Sequence, residues 1–452
     1  MSTTSPIRLD PAHLGMVRAA TDIAPDALDE CNRLLHQNHE TFHMFFRDTA
    51  GHNHIVHSLL TVLALGASPQ ELRDRYDDGT PIQRPIPEID HDLVERLYNP
   101  GVFAETIGEI TQYHTFLEFF KRKIDAEGYQ AVVNEYVFSR TSIADNMLAR
   151  MYEGAYHPII HLGLGVEFDQ PAIVAEALAQ AAAHDDSHIS KLFLSAEAEA
   201  SSLYPQRGRP TSMLSLLHQV RATDAIRKAP EWTDFGAKMR NGVVGRALEP
   251  MSSLAAQFRI RARDEEDLHR RTAEMANICA FFAGAAQREG RPRKIDFFYM
   301  HNVTSSIFFT VLARQQWIRL EDRIRLVEWK ARLDLAWYAV SGCAALDADT
   351  VSSYSSPESD GMGWEELFAA VNKEHDDGHA AKFIRALKSA EICTAEYEQD
   401  WDETYFPMRG DMFLKLARMC QDTTKNMDVD LKWVFFTGFE QPWGRPDLQP
   451  KK

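Results

Sequence analysis

Over most of its 452 residues the chain repeats its apolar residues every 3–4 positions, which lines one face of an α-helix and which a strand cannot use. Residues 27–47 carry Leu28, Cys31, Leu34, Leu35, Phe42, Phe45 and Phe46 in that pattern. Residues 54–65 follow and are closed by Gly66, because glycine enters the left-handed conformation of a helix end without a steric cost. Ser68 then caps a new helix with Pro69 at its first position, where a missing amide hydrogen is harmless. The same period predicts helices over 103–126, 130–154, 171–183, 213–222, 265–284, 303–316, 319–340, 364–371 and 379–401. Alternating patterns are scarce, no βαβ unit can be traced and no G-x-G-x-x-G follows a strand. A built-in dinucleotide-binding (Rossmann) domain is therefore not expected. The predicted fold is all-α: a tail over residues 1–26, then one large bundle-like helical domain over 27–452. Residues 77–91, 203–212 and 346–363 read as loops, and the last, rich in Ser, Asp and Gly, as the most mobile.

Charge narrows the partners. Sixty-six acidic residues against 49 basic ones give a formal net charge of −17. That field repels a phosphate polymer and an anionic membrane surface, and no long Lys/Arg stripe overrides it, so neither nucleic acid nor membrane is an expected partner. The cysteines Cys31, Cys279, Cys343, Cys393 and Cys420 form no C-x-x-C pair. They read as reduced thiols, not a disulfide framework or a zinc ribbon. Residues 1–25 hold no apolar run behind a basic patch, and no stretch of about 18 apolar residues occurs. Neither a signal peptide nor a membrane span is expected, and the cytosol is the expected compartment.

The residues that carry chemistry are histidines, 18 in all, and they fall in groups. Two imidazoles three or four residues apart on a helix share a face and can share a ligand; imidazole suits iron, zinc and copper. His52-Asn53-His54-Ile55-Val56-His57 puts His54 and His57 on one face and leads into a very apolar helix. Tyr156-His157-Pro158-Ile159-Ile160-His161 places His157 and His161 a turn apart. Pro158 clashes with the carbonyl of Gly154, so a helix starts or kinks there and the freed carbonyl needs a partner. His301 follows an aromatic run and opens a Phe-rich helix; His375, His379 and Lys382 are spaced four and three apart on one predicted face. Chance also makes such pairs. His184 and His188, among Asp185, Asp186 and Ser187, read as the solvated end of a helix, and His36, His39 and His43 as cavity lining or surface. Spacing alone leaves a metal site and a plain polar core both open. Lys382 beside a cation would be repelled unless it points to solvent, is neutral, or is carbamylated by carbon dioxide into an oxygen ligand. No G-x-S-x-G elbow, P-loop or H-E-x-x-H is present.

In their order along the chain these segments resemble the questin oxidase-like family. The matching runs are His52 to His57 leading into Leu65-Gly66-Ala67-Ser68-Pro69, and Tyr156 to Gly163 followed by Val166-Glu167-Phe168. Further on come Asp296 to His301 with Thr304-Ser305-Ser306, and Asp377-Gly378-His379 with Lys382 and Arg385-Ala386-Leu387. The resemblance extends from near residue 30 to the C-terminus. It implies a helical oxygenase of fungal-type polyketide pathways that opens a ring of an anthraquinone-like substrate with molecular oxygen. The reaction implied is of Baeyer–Villiger or dioxygenase type, with NADPH as an external reductant in some members. It also implies a non-haem Fe(II) centre of four histidines and a modified lysine. Carried over residue by residue, the implied ligands are His57, His161, His301 and His379, with carboxylated Lys382 as the fifth. His54, His157 and His375, each a turn away from one of these, are second choices as ligands and the candidate catalytic residues; an unligated histidine can remove a phenolic proton near neutral pH. The aromatic segments 297–309 and 433–443 are candidates for the apolar wall around a planar polyphenol, or for ordinary core.

Three other readings compete. One is a metal-free, NADPH-using Baeyer–Villiger oxidase. Another is a polyphenol-binding protein whose histidines are plain lining. The third is a zinc hydrolase, which a fifth ligand and the lack of an obvious Glu base argue against.

Overall fold

Helical periodicity sets what forms, and glycine, proline and left-handed residues set where it stops. The computed structural model describes Thr4 and residues 7–48, 51–202 and 209–449. Among these no β-strand occurs; the backbone makes only isolated bridges, Phe42 with Pro85, Phe45 with His52 and Asp296 with Val434. The chain is all-α. No described helix is long and apolar enough to cross a membrane. Of the loop expected at 203–212, residues 203–208 lie outside the described residues.

Contacts group the chain into two compact units. The first takes Met1–Asp186, Arg314–Ile318 and Phe368–Arg385. In it α1 (Pro25–Thr41), α2 (Ile55–Ala64) and α3 (Pro69–Gly79) pack on one another. There α4 (Tyr113–Glu127) and α5 (Glu153–Glu167) both pack on α6 (Pro171–Ala183), and α2 crosses α5. Every residue of α2 is buried, as is every residue of α6 after Pro171, the condition of a helix that is apolar all round. The second unit takes Ser187–Ala313, Arg319–Leu367 and Ala386–Lys452. Its core is α7 (Glu265–Ala285), α8 (Phe297–Ala313) and α9 (Leu320–Val340), mutually packed. At the head of α8, Phe297 stacks on Phe435 at 4.5 Å, and Phe298 on Trp337 at 4.6 Å and Phe436 at 4.9 Å. The aromatic segments thus meet in one stack. The expected mobile stretch 346–363 carries a helical turn, Asp349–Ser352, and is tied to Asp422 by Tyr354 (2.7 Å) and Ser359 (2.6 Å). A further helix, α10 (His379–Thr394), has its residues up to Arg385 in the first unit. All five cysteines are free thiols.

The α2–α3 junction follows its sequence signals. Gly66 sits at φ +81° and its N–H reaches Leu63 O, while Ala67 N–H reaches Val62 O, the paired bonds of a Schellman end. Ser68 and Glu71 exchange hydrogen bonds, Ser68 N–H to the Glu71 carboxylate at 2.7 Å and Glu71 N–H to Ser68 Oγ at 3.3 Å. Elsewhere the period runs past its breaks. The helix expected to 47 stops at Thr41, because His43 N–H turns to Arg84 O. The run 103–126 is interrupted by Gly108 at φ +101°, and 130–154 by a π-turn over Asn134–Phe138 and left-handed Arg140. The helix from His379 ends at Thr394, short of 401, and Ile189–Ser202 is a helix that periodicity did not single out.

The described part of the N-terminal segment is not a loose tail. Ile7, Leu9, Leu14 and Val17 are buried. Leu9 N–H bonds Asn32 Oδ1 at 2.8 Å, and Ala19 N–H bonds Ala64 O at 2.9 Å. Its clamp is Arg385, whose guanidinium forks onto both oxygens of Glu167 (2.6 and 3.0 Å) and donates to Val17 O at 3.0 Å. Both side chains are only 2% exposed. Removing one partner of such a pair strands the other charge. Arg385→Leu is expected to destabilise the fold by about 3–5 kcal/mol in calorimetry, and to open the segment around Val17 to protease. An unchanged melting temperature would show the pair to be dispensable.

Candidate functional site

The site is built in the first unit, where the turn before α2 meets α5. Asn53 fixes that turn: its side-chain oxygen accepts Ile55 N–H at 2.9 Å, and its amide donates to Asn38 Oδ1 of α1 at 2.8 Å. His52, His54 and His57 are thereby presented from a short, locked segment. α5 opens with three left-handed residues, Gly154 (φ 54°), Ala155 (φ 55°) and Tyr156 (φ 72°), before right-handed helix resumes at His157 and Pro158. The carbonyl that Pro158 displaces is that of Gly154, and it accepts a hydrogen bond from His157 Nδ1. Gly154 is required here for space as well as conformation, since a Cβ would run into both His52 and His184.

Three imidazoles converge. One ring nitrogen each of His54, His157 and His379 lies within 4.8 Å of the others. His54 Nε2 and His157 Nε2 are 2.7 Å apart, and the rings of His54 and His379 are 4.7 Å apart. His379 Nδ1 lies 2.7 Å from Asp377 Oδ1. A carbonyl or carboxylate oxygen only accepts, so Nδ1 carries the hydrogen in His157 and His379. In the neutral rings Nε2 keeps its lone pair. That is the arrangement by which an outer oxygen orients an imidazole toward a metal.

Beside this trio runs a second chain. Glu176 of α6 accepts from His39 Nδ1 of α1 and from His161 Nε2 of α5, each at 2.7 Å. His161 Nδ1 is 3.0 Å from His57 Nε2. Both ring nitrogens of His161 are engaged, whereas His57 Nδ1 is buried with no hydrogen-bond partner among the described residues. A further pair, His52 and His184, meets Nε2 to Nε2 at 2.9 Å, with His52 stacked on His157 at 4.2 Å.

Burial governs the charges. It pushes His52, His54 and His57 well below the ordinary imidazole value of 6.5, helped by Lys382 and by neighbouring imidazoles, His157 among them for all three. Lys382 is buried, its Nζ has no hydrogen-bond partner among the described residues, and burial brings it down to about 8 against the pull of Asp377 and Asp376. Glu176 runs the other way: its hydrogen bonds from His161 and His39 outweigh burial and bring it down to about 2.

The expected residues sort as follows. His54, His157 and His379 come together; His57 and His161 pair next to them; Lys382 is inside and does not point to solvent. His375 is not brought in. Its helix begins only at His379, after Gly378 at φ +90°, so the face expected for 375, 379 and 382 does not extend back to it. Its ring is exposed and lies 2.5 Å from Asp78. His301 lies in the second unit, where Nδ1 donates to Phe297 O of its own helix at 2.8 Å. His184, expected in solvent, is buried, while His188 is exposed. Glu176 was not picked out, though it stands alone in the Ala-rich run 171–183; His39, read as cavity lining or surface, is buried, and His52, named within its run, was given no role.

Two outcomes test this arrangement. Gly154→Ala drives a methyl into His52 and His184 and is expected to cost about 1–3 kcal/mol, read by denaturant unfolding; a neutral effect would mean the pair is not packed there. The second concerns acid. An unfolded chain takes up protons at its imidazoles near 6.5, which the folded chain refuses at His52, His54 and His57. Stability is therefore full above that pH and lost as pH falls below it, by about 1.4 kcal/mol per pH unit for each such group. Chelated protein should show this loss between about pH 7 and 5, and His57→Gln should make it shallower; a flat profile contradicts the neutral cluster.

Comparison with known proteins places this geometry. The questin oxidase-like family matches residues 51–387, a span that holds every residue of the site except His39. A Baeyer-Villiger monooxygenase of Cryptosporiopsis sp. is 70% identical over 98% of this chain and 99% of its own length. A Baeyer-Villiger oxidase of Paecilomyces divaricatus is 64% identical over 99% and 97%, and a questin oxidase of Aspergillus terreus 46% over 98% of each. With such identity carried from end to end, the chain belongs to the questin oxidase-like family and is an oxidoreductase of the oxygenase class.

Proposed function

We propose that this oxygenase opens a ring of an anthraquinone-type polyketide with molecular oxygen, at an iron centre held by His54, His157 and His379. The observation that carries the reading is the convergence of those three imidazoles, two of them pinned at Nδ1 by an oxygen. It stands beside relatives named Baeyer-Villiger monooxygenase and questin oxidase. The donor set fits the metal: imidazole suits iron, and burial holds His54 well below its ordinary value, which leaves it a neutral donor. Lys382 fits as a further donor. Held near 8, the cation can lose a proton to solvent, and the free amine then adds carbon dioxide: a nitrogen–carbon bond forms as one carbon–oxygen π bond opens, a second proton leaves to solvent, and the product is an oxygen donor of carboxylate type.

Bound Fe(II) would supply the binding and reduction of dioxygen. The chain's own residues do the rest. His57 Nδ1, unpartnered and neutral, is the acceptor for a phenolic proton. The packed helices α2 and α6 keep bulk water from the imidazoles, and the low dielectric strengthens each hydrogen bond. Relatives named Baeyer-Villiger oxidase and monooxygenase also fit a second reading, a Baeyer–Villiger oxidation that uses NADPH and no metal.

One series separates the two. Protein expressed without a metal-binding tag is expected to carry stoichiometric iron, lost in His157→Ala and His379→Ala and reduced in Lys382→Gln. Labelled bicarbonate should give a carbamate carbon signal that Lys382→Gln removes. Turnover under labelled dioxygen with an anthraquinone should put label in the opened product, in both new oxygens for a dioxygenase and in one, with NADPH consumed, for a monooxygenase. Full activity without iron, zinc or copper sinks the metal centre and leaves the NADPH reading.

A further inference from the structure

We propose that Glu176 is a positioning residue that decides, through His161, which nitrogen of His57 carries the hydrogen and leaves Nδ1 bare. The proposal rests on the reading of His54, His157 and His379 as the reactive centre. A carboxylate only accepts, so the 2.7 Å contact puts the hydrogen of His161 on Nε2. His161 Nδ1 is then a lone pair, and the 3.0 Å contact with His57 needs Nε2–H of His57 as donor. A neutral His57 is left with a bare Nδ1, the atom that is buried and has no partner among the described residues. Taken alone, a His–His pair has two equivalent directions of donation. The carboxylate breaks the tie. It cannot rotate away, because its other oxygen is held by His39 Nδ1 at 2.7 Å. The remaining polar side chain of α6, Gln180, has no hydrogen-bond partner among the described residues and offers no substitute. Reversed, the same pair would present N–H, a donor unable to take up a phenolic proton.

The test is the tautomer itself. The full chain, labelled with nitrogen-15 histidine and chelated, gives two-bond spectra that distinguish bare from protonated ring nitrogens; His57→Gln and His161→Gln identify the signals. In the natural protein both rings are expected with hydrogen on Nε2 and Nδ1 bare. In Glu176→Leu, His161 Nε2 has no acceptor, the pair reverses, and His57 Nδ1 becomes protonated. There kcat is expected to fall about 10–100-fold, with KM and iron content unchanged. Hydrogen on His57 Nδ1 in the natural protein overturns the proposal, and so does a wild-type pattern in Glu176→Leu. If Glu176→Leu does not fold, the natural protein's spectrum decides by itself. Iron missing from the natural protein overturns the metal centre and leaves the tautomer result standing.

Discussion

An ionised carboxylate sits in the middle of a helix that is otherwise almost entirely Ala, Ile, Val and Leu, and the first unit is arranged around satisfying it. Withdrawing such a charge from water costs several kcal/mol unless every lone pair is met. Glu176 is met twice, by His39 from α1 and His161 from α5. Two helices, α1 and α5, therefore have to stand in one register about α6. Because His157 lies one turn before His161 on α5, fixing the second ring also fixes the side from which the first approaches His54. The carboxylate that touches none of the converging trio thus sets where one of its members stands.

α5 could not deliver His157 as an ordinary helix. A continuous right-handed turn through residues 154–158 would drive Pro158 into the carbonyl of Gly154. The chain instead makes a left-handed turn through Gly154, Ala155 and Tyr156, at about 1–2 kcal/mol for each non-glycine residue. The displaced carbonyl becomes the anchor for His157 Nδ1, and the missing side chain of Gly154 leaves room for His52 and His184. Strain of this kind persists where the surroundings over-determine it, and here they do: the same turn seats three imidazoles, His157, His52 and His184.

Much of this was legible in the residues. The 3.6-residue period identifies α2, α6, α7 and α9, and the Gly66, Ser68 and Pro69 signals place the α2–α3 junction. The His–Pro–His spacing announces a break with an orphaned carbonyl. What periodicity cannot see is a left-handed residue: Arg140 and Gly108 end helices that the apolar pattern carries through. The same blindness explains His375. Spacing of four implies a shared face only if the helix is already running, and Gly378 starts it afresh at His379. Glu176 was hidden for a different reason. Its role comes from two helices that lie 15 and 137 residues away in sequence, and no local spacing encodes that.

The electrostatics fit a substrate that arrives neutral and leaves a proton behind. Despite a net charge of −17, the interior beside the trio holds lone pairs and one depressed lysine, with the negative charge confined to Glu176 at one end and Asp376 and Asp377 near Lys382. A phenol that gives its proton to His57 converts a neutral pair into an imidazolium and a phenolate. The imidazolium would lie one hydrogen bond from His161 and two from Glu176, so its charge is balanced along the relay without an ion from solvent. For a substrate of the class proposed, proton transfer inside the site therefore creates no net charge. What favours the transfer is the fixed carboxylate at the far end of that relay, already in place to stabilise the imidazolium without reorganising.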